Sequence, residues 1–315
     1  MRILVVEPLA AEGLELLRRH HDVDERLGLP RDEIAAILPE YDALVVRSQV
    51  KVDAALIAAG TRLVVIGRAG VGVDNVDLEA ATRAGVVVVN APTGNTIAAA
   101  ELTLALLFGL ARKTAAADAS MRRGEWKRSQ FTGMELRGKT LGIVGFGRIG
   151  RRVGELAHAF GMSVMAHDAF PGADPGFAPF AWAGLDEVFS DSDVVSLHCP
   201  LTSENQRFVN RDLLQRMRPT ALFVNAARGS LVNEADLAAA LKTGRIAGAV
   251  VDVLSAEPVR PENPLLSAPN IVITPHLAWA AREARQRLMR TTAENVRAFL
   301  EGRPQHLVNG GWLGK

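Results

Sequence analysis

The sequence has one cysteine, almost no net charge and no long apolar run, and each lack excludes a class of protein. Cys199 alone cannot form an intrachain disulfide or a cysteine-based metal cluster, which suits a reducing cytoplasm. The net charge of +1, from 36 Lys and Arg against 35 Asp and Glu, gives no field that would hold nucleic acid or an anionic membrane. The apolar run 102–111 is far shorter than the ~20 residues of a membrane span, and the start resembles no signal peptide.

The histidines also lack the clustered spacing of metal ligands. His20 and His21 are adjacent, but such a pair near a helix end is more typical of a solvated surface than of a metal site. We therefore expect no metal. Because 48% of the residues are hydrophobic and 23% are charged, the chain should be globular, and 315 residues allow about two domains.

Short runs rich in Val, Ile and Leu alternate with helical patterns along the chain. Such runs are typical of parallel strands that are buried on both faces, so the fold class is α/β with parallel sheets. The predicted strands are 2–6, 43–46, 63–66, 86–89, 141–145, 163–167, 193–197, 221–225, 249–253 and 271–274.

Two helical segments mark the domain organisation. One helix is predicted from about Thr96 to Met121 and is followed by the polar segment 122–128 at a domain junction. The end of this helix and the segment after it form a predicted dimerisation arm of about 115–136. A last helix, about 280–301, has a single apolar stripe that must be buried on an existing domain. We expect it to return to the N-terminal domain. The predicted domains are residues 1–94 with 281–315, and residues 95–280.

A glycine-rich turn between a strand and a helix predicts a dinucleotide site. The turn is Gly145-Phe146-Gly147-Arg148-Ile149-Gly150, the Gly-x-Gly-x-x-Gly pattern of Rossmann domains in its required setting. Asp168 ends the next strand, where an acid binds the ribose diol and favours NAD over NADP. We predict NAD as the cofactor, with contacts to Gly145, Gly147, Arg148, Ile149, Gly150, Asp168, Thr96, Pro200, Ala226 and Asp252.

A second glycine pattern follows the predicted strand 63–66. In Gly70-Val71-Gly72-Val73-Asp74-Asn75 the third glycine is replaced by Asn75, so we do not expect pyrophosphate to bind there. Consecutive amides around Val71 and Gly72, beside Arg68, instead favour an anion site suited to a carboxylate.

Three ionisable residues stand just past predicted strand ends, where ligands bind in open α/β sheets. His276 is suited to take or return the proton of a C2 hydroxyl during hydride transfer. Glu257 would pair with that imidazole and stabilise its charged form. The fork of Arg228 would bind a substrate carboxylate and polarise the C2 oxygen.

These residues lie in segments through which the whole chain resembles the D-isomer-specific 2-hydroxyacid dehydrogenases. The matching segments are 145–150, 225–234, 252–258 and 274–277. The resemblance implies a flavodoxin-like substrate domain, a Rossmann NAD domain and a homodimer built through the latter. It also implies the Arg228, Glu257 and His276 roles argued above.

Within this family the first half is most similar to the branch that oxidises D-3-phosphoglycerate in serine biosynthesis. The similarity rests on segments 67–78 and 90–96 and on the arm that ends at 131–136. A phosphorylated substrate needs cations beyond the catalytic arginine, for which we predict Arg47, Arg68 and Arg128. We hypothesise that Arg128 acts across the dimer. Because little chain follows the last helix, we expect no regulatory domain and no feedback inhibition by L-serine.

Three alternatives remain open. Trp279, three residues past His276, resembles the glycerate dehydrogenase (hydroxypyruvate reductase) branch, although we favour the phosphorylated substrate. A corepressor-like protein that senses NADH is a different class, against which the intact Arg228, Glu257 and His276 argue. Formate dehydrogenases normally pair their His with Gln, so Glu257 counts against that activity.

Overall fold

The computed structural model describes residues 1–310, which form two compact units. One unit contains Met1–Asn95 together with the described residues from Ala280 onward, and the other contains Thr96–Trp279. The last five residues of the predicted N-terminal domain, 311–315, lie outside the described residues. Within residues 1–310, no helix combines the length and apolar character that a membrane crossing requires.

The N-terminal unit is built on a parallel sheet of five strands. Its order, β2-β1-β3-β4-β5, is the doubly wound order of flavodoxin-like folds, as predicted. The strands are β1 (Arg2–Val5), β2 (Asp22–Glu25), β3 (Ala43–Val46), β4 (Val65–Arg68) and β5 (Val87–Asn90).

Helices cover this sheet, and two of them begin at an aspartate whose side chain caps the first turn. The helices are α1 (Ala11–Arg18), α2 (Arg31–Ile37), α3 (Ala54–Ala59), α4 (Leu78–Arg83) and α11 (Arg282–Leu300). Asp53 accepts from the Leu56 amide at 3.0 Å and Asp77 from the Ala80 amide at 2.9 Å, which satisfies amides that α3 and α4 leave unpaired.

The terminal helix α11 packs on α1 and on strands β4 and β5. Thr292 Oγ1 donates to the Arg68 carbonyl at 3.2 Å, and Asn295 Nδ2 donates to the Asn90 carbonyl at 2.7 Å. Val296 is fully buried in the same core as the β1 and β3 side chains. The last helix therefore lies against the carboxyl-terminal ends of β4 and of the edge strand β5.

The second unit is built on a parallel sheet of seven strands, in the order β12-β11-β10-β9-β6-β7-β8. This is the Rossmann arrangement, in which the strand order reverses beside β6. The strands are β6 (Thr140–Val144), β7 (Ser163–His167), β8 (Phe180–Trp182), β9 (Val194–Leu197), β10 (Leu222–Asn225), β11 (Gly248–Val251) and β12 (Ile271–Ile273). The helices are α5 (Thr96–Ala111), α6 (Thr114–Arg122), α7 (Arg148–Ala159), α8 (Leu185–Asp191), α9 (Arg211–Arg216) and α10 (Glu234–Lys242).

The continuous helix predicted over about 96–121 is wrong, because the chain breaks between α5 and α6. Lys113 adopts a left-handed backbone conformation with φ 54°. The Ala111 carbonyl accepts instead from the Met134 amide at 2.9 Å, which ties the end of the predicted arm to the end of α5.

Two strands, β2 and β8, were not predicted. Both are edge strands with a single neighbour, and neither is fully buried. Asp22–Glu25 has one apolar residue among three acidic ones, so it lacks the continuous apolar run by which the other strands were recognised.

The contact between α11 and β4 can be tested at Gly67. A Cβ there would lie 2.5 Å from Val296 Cγ2, so Gly67→Ala should cost about 1–3 kcal/mol of stability and lower the thermal midpoint. Val296→Ala in the same chain should relieve part of this loss, because it removes the clashing methyl. Gly172→Ala is the control, because no atom lies within 4 Å of the Cβ position of Gly172. Strictly additive losses in the double variant would contradict this packing.

Candidate active site

The strands of the second sheet are parallel, so their carboxyl ends meet at one edge. The order reverses between β6 and β9, which is where ligands bind in folds of this kind. The structure brings to this edge the predicted site residues that follow strands, namely Gly145, Gly147, Asp168, Pro200, Ala226, Arg228, Asp252 and His276.

The three glycines after β6 meet different surroundings. Gly145 has φ 92°, and a Cβ there would lie 2.4 Å from the Cys199 amide nitrogen. A Cβ on Gly150 would lie 2.1 Å from the Gly145 carbonyl oxygen, so the start of α7 packs closely on the turn. Gly147 has no atom within 4 Å of its Cβ position. The turn thus has a tight base and an open outer side at the N-terminus of α7, which fits a pyrophosphate.

The remaining residues of the turn differ in exposure. Arg148 is exposed and Ile149 is half-buried, both in the first turn of α7. Asp168 accepts from the Phe146 amide at 2.7 Å through one oxygen and from the Phe170 amide at 2.9 Å through the other. The acid predicted to bind ribose therefore also holds the glycine turn in place.

The loop after β9 lies directly against Gly145. Burial lowers the pKa of His198 to about 4, so its imidazole is neutral, and Nε2 lies 2.8 Å from Ser196 Oγ. Burial also raises the pKa of the Cys199 thiol to about 11, which keeps it protonated and unreactive. Pro200 follows at the exposed end of this loop, and Thr96 is the half-buried first residue of α5.

His276 and Glu257 form a direct pair. His276 Nδ1 donates to Glu257 Oε2 at 2.8 Å, and both side chains are about half exposed. The use of Nδ1 in this pair leaves Nε2 as the ring atom that can meet a substrate. Arg228 lies near enough for its charge to act on Glu257, and its Nη1 donates to the Ala227 carbonyl at 2.8 Å. The structure thus brings all three predicted catalytic residues together.

The electrostatics of this group favour an ionised Glu257. Partial burial raises the pKa of its carboxyl, but the hydrogen bond and charge of His276, the Leu254 amide and the charge of Arg228 together lower the pKa below its usual value. The carboxylate therefore stays charged at neutral pH, where it can stabilise an imidazolium.

Two buried polar side chains shape the loops that carry this group. Asp252, which is fully buried, accepts from Thr274 Oγ1 at 2.6 Å and from the Leu277 and Ala278 amides at 2.7 and 2.9 Å. Asn225 Nδ2 donates to the Arg228 carbonyl at 2.9 Å. Asp252 was predicted as a cofactor contact, and the structure gives its carboxylate a role in the turn that holds His276.

Asn75 joins the two predicted cationic residues of the N-terminal unit, Arg47 just after β3 and Arg68 at the end of β4. Asn75 Nδ2 donates to the Arg47 carbonyl at 2.8 Å, and Arg68 Nε donates to Asn75 Oδ1 at 3.3 Å. Burial lowers the pKa of the Arg47 guanidinium. The charge of Glu7 raises this pKa, and the charge of Arg285 on α11 lowers it further. Arg285 was missed because it lies on the terminal helix, far away in sequence.

The predicted anion nest lies in the loop after β4. The Gly70 amide donates to the Arg68 carbonyl at 2.8 Å, so this amide is not available to the nest, which was predicted at Val71 and Gly72. In the other unit, Arg128 is exposed in a 3-10 turn, Arg128–Phe131, and Trp279 is half-buried at the end of the His276 loop. Across residues 1–310, His, Cys, Asp and Glu form no group able to hold a metal ion.

A substitution at Gly147 can test cofactor binding without affecting the stability of the fold. Because the space around its Cβ position is open, Gly147→Ala should leave the thermal midpoint of the cofactor-free protein unchanged. The added methyl should weaken NADH binding by about tenfold or more, since it occupies the side that pyrophosphate approaches. Titration calorimetry measures the Kd, and Gly172→Ala is the control. An unchanged Kd would place the pyrophosphate elsewhere.

The His276 contact can be tested through the carboxyl of Glu257. In the native protein the pair is present above the usual Glu pKa of about 4.3 and is lost as the pH falls through the lower folded value. In His276→Asn, where Asn tolerates the positive φ, burial persists without the imidazole, so the pKa of Glu257 should rise. Carbon-13 NMR of labelled glutamate measures it, and the other glutamates serve as controls. No rise would show that the pair does not set this pKa.

Comparison with known proteins matches this architecture to one family. Residues 104–278 match the model described as D-isomer specific 2-hydroxyacid dehydrogenase, NAD binding domain. The chain is 42% identical over 306 residues to a D-3-phosphoglycerate dehydrogenase of Archaeoglobus fulgidus, covering 96% of this chain and 58% of that protein. It is 42% identical over 304 residues to the Synechocystis enzyme of the same name, covering 96% and 55%.

The solved structure of the TT0316 protein from Thermus thermophilus is also similar, with a TM-score of 0.91, 40% identity, and coverage of 98% of this chain and 100% of that one. The chain spans a little over half the length of the curated relatives it matches. The matched residues 104–278 include the glycine turn, Arg228, Glu257 and His276. With its Rossmann unit and flavodoxin-like unit, the chain belongs to the D-isomer specific 2-hydroxyacid dehydrogenase family, and its second unit is an NAD-binding domain.

Proposed function

We propose that the protein is an NAD-dependent dehydrogenase of D-2-hydroxy acids and that its preferred substrate is D-3-phosphoglycerate, which it oxidises to 3-phosphohydroxypyruvate for serine synthesis. The observation that carries the proposal is the hydrogen bond between His276 Nδ1 and Glu257 Oε2 at 2.8 Å. This pair lies beside Arg228, at the same edge of the sheet as the glycine turn. The substrate name comes from the relatives, several of which are D-3-phosphoglycerate dehydrogenases.

Each residue of this group has a separate task. When bound, NAD supplies the acceptor for the hydride that leaves C2. His276 takes the hydroxyl proton at Nε2 as the C2 carbonyl forms, and returns it in the reverse direction. Glu257 holds the imidazole by Nδ1 and stabilises its protonated form. Arg228 binds the carboxylate of the substrate and orients the C2 oxygen.

The residues that hold the cofactor are those of the turn and the loops beside it. The open side of Gly147 and the N-terminus of α7 take the pyrophosphate, while Asp168 takes the ribose diol. Both Asp168 oxygens already accept one amide each, which fixes the carboxylate and leaves lone pairs for two hydroxyls.

The choice of a phosphorylated substrate rests on the cations of the N-terminal unit. Arg47 is half-buried and Arg68 is held by Asn75, so both guanidinium groups lose less entropy on binding an anion than mobile surface arginines would. We assign them, with the amides of Val71 and Gly72, to the anionic groups of the substrate. Trp279 is the observation that favours glycerate instead, because a half-buried indole follows His276 closely.

We also propose that the protein is a cytoplasmic homodimer built through the arm of the NAD-binding unit. Met121 is 51% exposed and Trp126 is 73% exposed on this arm, and burial of such large apolar side chains favours association. Arg128 lies on the same arm and would serve the substrate of the partner subunit.

The test compares phosphohydroxypyruvate with hydroxypyruvate in NADH oxidation by the purified protein. We expect a clear preference in kcat/KM for the phosphorylated acid, because Arg47 and Arg68 offset its additional charge of about −2. His276→Asn should reduce kcat by about 10²–10⁴-fold and change NADH affinity much less.

The other outcomes have definite meanings. A preference for hydroxypyruvate would identify a glycerate dehydrogenase and make Trp279 the specificity residue. Tight NADH binding without turnover of either acid would support an NADH sensor. A fully active His276→Asn variant would disprove the proton-transfer role.

A further inference from the structure

The loop that carries Glu257 is held at its base by a second glutamate, Glu234. The Glu234 carboxylate accepts from the Ser255 amide at 2.7 Å, from Ser255 Oγ at 2.7 Å and from Asn263 Nδ2 at 2.9 Å. The two donor residues flank Glu257 in sequence. One carboxylate therefore joins the two sides of the Glu257 loop.

The element that presents Glu234 is itself well fixed. Glu234 is the first residue of α10, and Asn233 caps this helix by accepting from the Asp236 amide at 3.3 Å. The inner face of α10 is buried in the core of the second unit, with Leu237 fully buried. The carboxylate of Glu234 is thus attached to a rigid part of the NAD-binding domain.

The same loop rests on the backbone next to Arg228. A Cβ on Gly229 would lie 2.0 Å from the Leu254 carbonyl carbon and 2.5 Å from the Ser255 nitrogen. The Leu254 amide donates to Glu257 Oε1 at 3.1 Å, while Glu257 Oε2 meets His276. Ser255 therefore lies between a backbone contact on one side and the Glu234 hydrogen bonds on the other.

The donor set shows why a carboxylate is needed at position 234. One oxygen accepts from the Ser255 amide, and the other accepts from both Ser255 Oγ and Asn263 Nδ2. A glutamine has one acceptor oxygen and one NH₂ group, and that NH₂ group cannot accept from an amide N–H. Glu234→Gln must therefore break at least one of the two N–H contacts while it keeps the size of the side chain.

We propose that Glu234 is a positioning residue, which acts through the Ser255–Asn263 loop to hold Glu257 against His276. The inference rests on the proposed function, because it assigns a catalytic purpose to the Glu257–His276 pair. Loss of Glu234 leaves the substrate and cofactor contacts in place, and loosens only the carboxylate that stabilises the imidazolium.

The first experiment needs no substrate, so it can be read even if the proposed function fails. In Glu234→Gln the pKa of the Glu257 carboxyl, followed by carbon-13 NMR, should rise, because the His276 contact that lowers it becomes intermittent while burial persists. Asp236→Asn is the matched control. Asp236 lies in the same helical turn and accepts from the Arg211 amide at 3.0 Å, away from the Glu257 loop, so its loss should leave that pKa unchanged.

The second experiment is kinetic. Glu234→Gln should lower kcat by about ten- to a hundredfold through misplacement of Glu257, with NADH Kd unchanged. Ser255→Ala removes only the hydroxyl contact, so the rise in the Glu257 pKa and the fall in kcat should both be smaller than in Glu234→Gln. This variant carries the test if Glu234→Gln does not fold. An unchanged Glu257 pKa in a folded Glu234→Gln protein, or an equal shift in Asp236→Asn, would overturn the proposal, even if stability falls.

Discussion

The buried carboxylate of Asp252 is the group on which the geometry of the candidate active site depends. A carboxylate is costly to remove from water unless hydrogen bonds satisfy it, and Asp252 meets this requirement with one hydroxyl and two backbone amides of residues 274–278. Those contacts fold the chain after β12 into a turn in which His276 adopts a positive φ. The imidazole therefore projects from a rigid turn, and Glu257 needs to fix only its ring orientation.

The parallel sheet supplies the rest of the arrangement. Because every strand of the NAD-binding unit ends at the same edge, the glycine turn, Arg228 and His276 are collected there although they are far apart in sequence. Polar side chains then set the shape of each loop: Asp168 holds the glycine turn, Asn225 the Arg228 loop and Glu234 the Glu257 loop. The side chains of Glu257 and His276 are about half exposed, whereas Asp252 and Asn225 beneath them are buried.

The sequence predicted both sheets and the Arg228, Glu257 and His276 group, because buried strands are continuous apolar runs and the chemistry follows their ends. It did not predict β2, whose polar edge-strand composition lacks that signal, nor the break at Lys113, which depends on a distant amide. Glu234 and Arg285 were missed for a similar reason. Each lies on a helix, and the residues that it acts on, Ser255 for Glu234 and Arg47 for Arg285, lie in loops that only folding brings near.

The central claim is that a nicotinamide and the C2 carbon of a hydroxy acid meet beside His276, at the edge of the sheet where the strands of the NAD-binding unit end. Reduction of a 2-keto acid with NADH that carries deuterium on the transferred position tests it directly. The account predicts a product with one deuterium at C2 and the D configuration. A product without deuterium at C2, or with the L or a racemic configuration, would contradict it.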